Sequence, residues 1–254
     1  MVCAGGHYSP FGSCFSCCFN PEDGSSSSPF QSSFTPNVSR VCIYPHGGDL
    51  TSLDIFISIL LQENLGFYHL VSSHALVSVI LNQWDEDHFI ACLESRFNLP
   101  LSAPPYYQEV EMDISQVLKG YPEVRASYEE EKIKTYGIQL IKNLCLSRHC
   151  LDRGASLSFS GPFSFVSALP GENGTMDLWV VGPGPGEIPV EYIHFYGPHF
   201  GDRYRIFQTA QDCLAASRIS PLAMGCTGAS VSLVFLKDQG GMAQRALERG
   251  FESP

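Results

Sequence analysis

Residues 44–49 read YPHGGD and residues 197–202 read GPHFGD, so the pattern PHxGD occurs twice in the chain. A second shared pattern, A-x-V-S, follows each copy, in SHALVSVI at residues 73–80 and in TGASVSLV at residues 227–234. A third, LExxF, closes the two copies, at residues 93–97 and 247–251. Three shared patterns in the same order predict a duplicated structural unit.

Both copies also have the same order of predicted secondary structure. Apolar residues recur every three or four positions where a helix is predicted, and short β-rich runs bounded by turn residues indicate strands. The first copy predicts a strand, a helix, two strands and a helix, at residues 41–44, 53–64, 67–72, 76–81 and 85–97. The second copy predicts the same five elements, at residues 193–196, 206–214, 222–225, 230–236 and 242–247.

This β-α-β-β-α order predicts an α+β fold of two ferredoxin-like (βαββαβ) modules, each with its helices on one face of an antiparallel sheet. Residues 106–112 could add the closing strand of the first module. Small modules leave a sheet face or edge uncovered, so each is expected to pack on its twin or on another chain. We expect a flexible Cys/Ser-rich leader, a first module, a connecting segment with extra strands and a second module, over residues 1–39, 40–113, 114–190 and 191–254.

The composition narrows the class of protein. The 254 residues are 44% hydrophobic and 16% charged, which is typical of a globular chain. The net charge of −11 argues against nucleic acid or an anionic membrane surface as a partner. No apolar run reaches the ~20 residues that span a bilayer. No secretory signal is evident at the start, so we expect a cytoplasmic protein whose ten cysteines are thiols.

The repeat resembles the ACT domains that regulate amino-acid metabolism. MGCTGASVSLV at residues 224–234 is similar to the β2–β3 hairpin in the regulatory region of aspartate kinases, and LVSSHALVSV at residues 70–79 follows the same pattern. The resemblance covers the two repeats and leaves the leader and the central segment unmatched. It implies a regulatory protein without a catalytic domain, whose effector is an amino acid bound between a β1–α1 turn and the edge of a neighbouring module. It also implies a homodimer or a regulated enzyme as partner.

The turn that enters the first helix of each copy is the predicted ligand site. Such a turn presents unpaired N–H groups and partial positive charge to a carboxylate, and its glycines allow close approach to the backbone. The candidates at the two turns are Pro45, His46, Gly47, Gly48, Asp49, His199, Phe200, Gly201 and Asp202. The ACT resemblance adds the facing strand edge, with Ser73, His74, Thr227 and Gly228. The alternative is structural, with Pro and Gly shaping the turn, Asp capping the helix and His in a surface or capping role.

Other motifs leave further alternatives open. Cys14-x-x-Cys17, with Cys3, Cys18 and His7 nearby, has ligand types that suit zinc, but a second CxxC pair is missing and we predict neither metal nor cofactor. A nucleophilic Cys226 would need a partnered base that the sequence does not identify, so no catalytic residue is predicted. The alternative functions are a ligand-free interaction or dimerisation module that regulates a metabolic enzyme, and an enzyme that uses a leader metal.

Overall fold

A computed structural model describes residues 3–9, 12–18, 35, 37–48, 50–73, 76–97, 132–155, 161–198, 200, 205–228 and 230–253. For residues 3–9 and 12–18 the description covers the backbone. The strands in these ranges are β1 (Cys3–Ser9), β2 (Gly12–Cys18), β3 (Val38–Ile43), β4 (Phe67–Ser72), β5 (Val77–Asn82), β6 (Ile133–Lys134), β7 (Ile138–Leu151), β8 (Phe165–Pro170), β9 (Met176–Gly182), β10 (Ile188–Tyr196), β11 (Ala223–Cys226), β12 (Ser230–Leu236) and β13 (Phe251–Glu252). The helices are α1 (Leu50–Gln62), α2 (Glu86–Phe97), α3 (Ile206–Ala216) and α4 (Gly240–Leu247).

The helices form where the apolar spacing predicts them. Helix α1 buries one face, which includes Phe56 and Leu60, and the chain leaves it through Asn64 in the left-handed region at φ 55°. Helix α2 begins with Glu86 and Asp87, whose carboxylates favour the positive end of the helix dipole. None of the helices that the structure describes is long and apolar enough to cross a membrane.

One sheet of eleven strands runs through both repeats, in the order β2-β1-β11-β12-β10-β7-β9-β8-β4-β5-β3, with antiparallel neighbours. Within it, β4-β5-β3 of the first repeat and β11-β12-β10 of the second have the same internal order. The predicted α+β fold with a large antiparallel sheet and four helices is confirmed for the described residues. The two repeats share a single sheet because strands of the connecting segment pair with both of them.

Strand β7 makes this connection. Its first part pairs with β10 of the second repeat, and its last part pairs with β9, which leads through β8 to the first repeat. The register shifts between Val190 and Tyr192 on β10, and Asn143 on β7 has a positive φ of 60°. Such a bulge bends a strand and increases its twist, so it adds curvature to the sheet along the 14-residue β7.

The sheet bends so that its two ends face each other. Gly225 on β11 lies so close to β4 that an added Cβ would be 2.7 Å from the Ser72 carbonyl oxygen. A buried cluster joins strands of both repeats, and its aromatic members Phe165 and Tyr192 have ring centroids 6.4 Å apart. Helices α1 and α2 cover a second core and α3 and α4 a third, each on the outer side of the sheet. The layers are therefore helices, sheet, sheet and helices.

The strand pairing differs from that of a simple pair of βαββαβ modules. Strand β13, the last strand of the second repeat, pairs in parallel with β6 in a separate two-stranded sheet, and β7 lies beside β10 in the main sheet instead. The longer β7 offers many more backbone hydrogen bonds than the two-residue β13. The predicted strand at residues 106–112 lies outside the described residues. Within the predicted flexible leader, β1 and β2 form a hairpin that extends the sheet from β11.

Candidate functional site

The turn between β3 and α1 is organised around the side chain of His46, which is 4% exposed. Its Nδ1 accepts a hydrogen bond from the Gly48 N–H at 2.8 Å. The ring proton therefore lies on Nε2, which donates to the Ser73 carbonyl oxygen at 3.0 Å. The ring also stacks on Phe163, with 4.7 Å between ring centroids. Both ring nitrogens thus hold the turn in place, which fits the structural alternative for this histidine.

The glycines of this turn are required by its geometry. Gly47 and Gly48 have φ values of +59° and +70°, in the left-handed region that favours glycine. A Cβ on Gly48 would lie 3.1 Å from the carbonyl oxygen of Phe163, whose N–H donates to the Gly48 oxygen at 3.2 Å. The turn is therefore fixed against the segment that precedes β8. Pro45, which precedes His46, is exposed, and Asp49 lies outside the described residues.

Two predicted residues from different repeats meet directly. The hydroxyl groups of Ser73 and Thr227 are 2.6 Å apart, and both residues are buried. Arg40 on β3 donates to the Thr227 carbonyl oxygen at 3.2 Å. Since His46 holds the Ser73 carbonyl, polar contacts run without a break from the first helix-entry turn to the second repeat. Gly228 follows Thr227 with a φ of +85°, and His74 is not among the residues described.

The second turn gives a different result. Phe200 is 4% exposed and packs edge-to-face on Phe195, with 6.2 Å between ring centroids. It is therefore a core residue of the second repeat in this structure. The other candidates at this turn, His199, Gly201 and Asp202, fall outside the ranges that the structure describes.

The free space at the first turn is small. The crevice beside His46, between β3, β5 and α1, is too narrow to hold a water molecule. Ligand pockets for small molecules usually have about 300–1,000 Å³. An amino acid at this turn would therefore require the crevice to widen. Its walls are mostly apolar, formed by Ile43, His46, Ser52, Leu53, Phe56 and Val77.

A larger groove of about 410 Å³ lies on the outer side of the second repeat, between the end of α3 and α4. Arg218, Arg245 and Arg249 line it, and the groove also has an apolar wall at Met242 and Ala246. Guanidinium groups recognise carboxylates and phosphates through paired N–H donors. The only sequence signal for this groove is the four-residue spacing of Arg245, in the last turn of α4, and Arg249, just beyond the end of the helix.

The buried cysteine near Thr227 lacks the properties of a nucleophile. Burial raises the pKa of the Cys226 thiol, and a backbone hydrogen bond from Gly228 only partly opposes this effect. A reactive cysteine needs the opposite shift, toward the thiolate. The thiol is therefore a packing group of the second core.

A cluster of three side chains that the sequence does not predict lies on the outer side of the first repeat. Glu63 follows α1, and His88 and Cys92 lie one turn apart on α2. The three side chains converge at the surface, and no pattern in the sequence links Glu63 to the other two. Only the packing of α1 on α2 brings them together.

The fold has a measurable likeness to a known enzyme. Aspartate kinase from Synechocystis aligns over 86% of this chain and 41% of its own, with 12% identity and a TM-score of 0.57. The ligand-free regulatory subunit of aspartate kinase from Thermus thermophilus aligns over 85% of this chain and 97% of its own, with 7% identity and a TM-score of 0.26, too low to carry an argument. No family model and no curated protein matches the sequence. The chain shares the fold of part of the Synechocystis kinase and spans less than half of its length.

Proposed function

We propose that this protein is a non-catalytic, cytoplasmic regulatory module whose two repeats are ferredoxin-like units of the ACT type. Its effector is a free amino acid bound at the β3–α1 turn. The observation that supports this best is the line of contacts from His46 through Ser73 to Thr227. Those contacts connect the turn where a ligand would bind to the other repeat.

The chemistry of the turn suits a zwitterion. The N-terminus of α1 carries partial positive charge from the helix dipole, which is suited to a carboxylate. His46 acts as a positioning residue, because both of its ring nitrogens bond within the protein. Widening of the crevice would displace the Ser73 carbonyl that His46 holds. The Ser73–Thr227 contact would then change as well, and an effector would alter the fit between the repeats.

The free energy that such a ligand can supply for regulation is limited. A ligand shifts an equilibrium between two states only by its difference in affinity for them, typically about 1–3 kcal/mol. A change of this size is enough to alter an interface with a regulated enzyme. The likeness of the fold to part of an aspartate kinase supports this class of role, with a metabolic enzyme or a second copy of the chain as partner.

A thermal-shift screen of the full chain against the twenty amino acids at millimolar concentration tests the proposal. At 100 times its Kd, a ligand adds about 2.7 kcal/mol to the free energy of unfolding, which is readily measured. Stabilisation by at least one amino acid is expected. An unchanged melting temperature with all twenty would count against the proposal.

Two variants then locate the ligand. Thr227→Val removes the hydroxyl group that meets Ser73 and should reduce the response to the amino acid. Arg245→Gln/Arg249→Gln removes two cations from the outer groove and should leave the response intact. The reverse pattern would show that the effector binds in the groove, and it would contradict binding at the turn.

The second candidate function is a ligand-free interaction module, and the free end of the sheet favours it. Among the described strands, β3 forms one end of the sheet, with an edge available for a partner strand. Two aromatic side chains flank this edge: Tyr44, 72% exposed, follows β3, and Trp84, 79% exposed, lies beyond the end of β5 that pairs with Val38. If this is the function, amino acids should not change the melting temperature of the protein. Tyr44→Ser and Trp84→Ser should weaken its assembly.

A further inference from the structure

The surface cluster of Glu63, His88 and Cys92 has the composition of a metal site. The carboxylate Oε2 of Glu63 is 3.3 Å from Nε2 of His88, and Sγ of Cys92 is 4.0 Å from the same nitrogen. One potential ligand atom of each residue lies within 4.8 Å of the other two. A carboxylate, an imidazole and a thiol are the three side-chain types that bind zinc in proteins.

The secondary structure holds the three ligands on the same side of the helix pair. His88 and Cys92 are four residues apart on α2, so their side chains project from the same face in successive turns. Glu63 lies immediately after Gln62, the last residue of α1, and the two helices pack through Phe56 and Phe89, whose ring centroids are 5.1 Å apart. The buried aromatic pair fixes the distance between the helices, and the ligand side chains lie at the surface above it.

The observed distances are close to those of a tetrahedral site. With zinc bonds of about 2.0–2.2 Å to nitrogen and oxygen and about 2.3 Å to sulfur, tetrahedral angles place N and O about 3.4 Å apart and N and S about 3.6 Å apart. The Glu63–His88 separation of 3.3 Å already fits, and the His88–Cys92 separation of 4.0 Å needs a small contraction. The ligand atoms of Glu63 and Cys92 lie within 4.8 Å of each other and must also move closer. His88 and Glu63 have side chains 56% and 38% exposed, so small rotamer changes meet little steric resistance.

We propose that Glu63, His88 and Cys92 form a zinc site with three protein ligands and a fourth position open to solvent. Cys92 binds as the thiolate and releases its proton to solvent. A thiolate and an imidazole favour zinc over the hard cations magnesium and calcium, which prefer oxygen ligands. Zinc at this position would join the end of α1 to α2 and stabilise the outer layer of the first repeat. This inference is independent of the proposed amino-acid site.

Cobalt(II) is the probe for the experiment, because it replaces zinc in such sites and its visible spectrum reports tetrahedral geometry and thiolate ligation. Titration of the reduced full chain should give a thiolate-to-cobalt charge-transfer band, which one equivalent of zinc then removes. Cys92→Ser should abolish the band, and His88→Gln and Glu63→Gln should each weaken binding more than about tenfold, as expected for loss of a direct ligand. Zinc should raise the melting temperature of the wild-type protein and leave that of Cys92→Ser unchanged.

Other cysteines of the chain provide the controls. Cys14→Ser/Cys17→Ser removes the CxxC pair from the four leader thiols, and Cys150→Ser removes an exposed thiol on β7. Both variants should retain the band and the thermal shift. A band that survives Cys92→Ser and disappears with Cys14→Ser/Cys17→Ser would overturn the proposal in favour of a leader site. Absence of any cobalt or zinc binding to the reduced wild-type chain would overturn it as well.

Discussion

The first strands of the two repeats follow the same local pattern and occupy different places in the sheet. Strand β3 is half-buried along its whole length and forms an end of the sheet among the described strands. Strand β10 is buried over residues 190–195 and has β12 on one side and β7 on the other. Each strand is followed by a helix and then by a hairpin that pairs back onto it. Local sequence therefore determines the element order, and long-range pairing determines which first strand forms an end of the sheet among the described strands.

The two repeats also differ in the surroundings of their helix-entry turns. The second repeat is enclosed by the connecting segment, and the Phe200 of its helix-entry turn packs in the core. The first repeat keeps a turn organised by His46 and a strand edge flanked by Tyr44 and Trp84. We therefore expect effector binding and assembly to depend on the first repeat and to be transmitted to the second.

The largest expected effect tests whether the repeats unfold together. Leu60→Ala in the first core and Leu233→Ala in the second should each lower the free energy of unfolding by about 2–5 kcal/mol. Because one sheet runs through both repeats, each variant should shift a single transition in chemical denaturation, followed by circular dichroism and by tyrosine fluorescence. Two separate transitions, with each variant moving only one of them, would show that the repeats are independent domains.

A smaller effect tests the close approach of the sheet ends. Gly225→Ala places a methyl group 2.7 Å from a backbone oxygen of β4, which side-chain rotation cannot relieve. We expect a loss of about 3 kcal/mol, at the upper end of the range for overpacking. Gly241→Ala on α4 is the matched control, because no atom lies within 4 Å of the added carbon. Equal stability of the two variants in urea denaturation would contradict the bent arrangement.

The polar contact between the repeats should contribute less. Thr227→Val leaves the buried hydroxyl group of Ser73 without its partner and should cost about 1–3 kcal/mol. Ser73→Ala/Thr227→Val should cost less than the sum of the two single variants, because residues in direct contact are coupled. Denaturation of the wild-type protein and the three variants measures this coupling energy. If the losses of the two single variants simply add in the double variant, the Ser73–Thr227 contact does not couple the repeats.

The smallest effect on stability concerns the edge of β3. Tyr44→Ser and Trp84→Ser change exposed side chains and should alter the free energy of unfolding by less than about 0.5 kcal/mol. If the edge of β3 is an interface, the same changes should reduce self-association measured by light scattering. A wild-type chain that is monomeric at all concentrations would exclude a homodimer through this edge.

Much of the element order could be predicted from the sequence, because helix and strand periodicities are local. The predicted helix at residues 85–97 forms as α2 from Glu86, after a short 3-10 turn that includes Trp84. Strands β6 to β9 lie between the two repeats. Their order in the sheet could not be predicted. Strand β7 pairs with its neighbours through backbone hydrogen bonds, and the alternation of side chains along a strand does not indicate which strands these neighbours are.

The candidate site was accessible to sequence reasoning only in part. The ACT resemblance pointed to Ser73 and Thr227, and the structure brings them into contact. Arg40 and Phe163 were missed, since they reach the site from segments without a repeated motif. The ring contacts of His46 could not be predicted either, because a histidine beside glycines is typical both of a ligand site and of a structural turn.

Calorimetric titration of free amino acids into the full chain, repeated with Thr227→Val, tests the central claim most directly. The account predicts that at least one amino acid binds the wild-type protein and that its affinity falls at least about fivefold when the second repeat loses this one hydroxyl group. No binding by any amino acid, or equal affinity for both proteins, would contradict an effector site whose ligand is sensed across the two repeats.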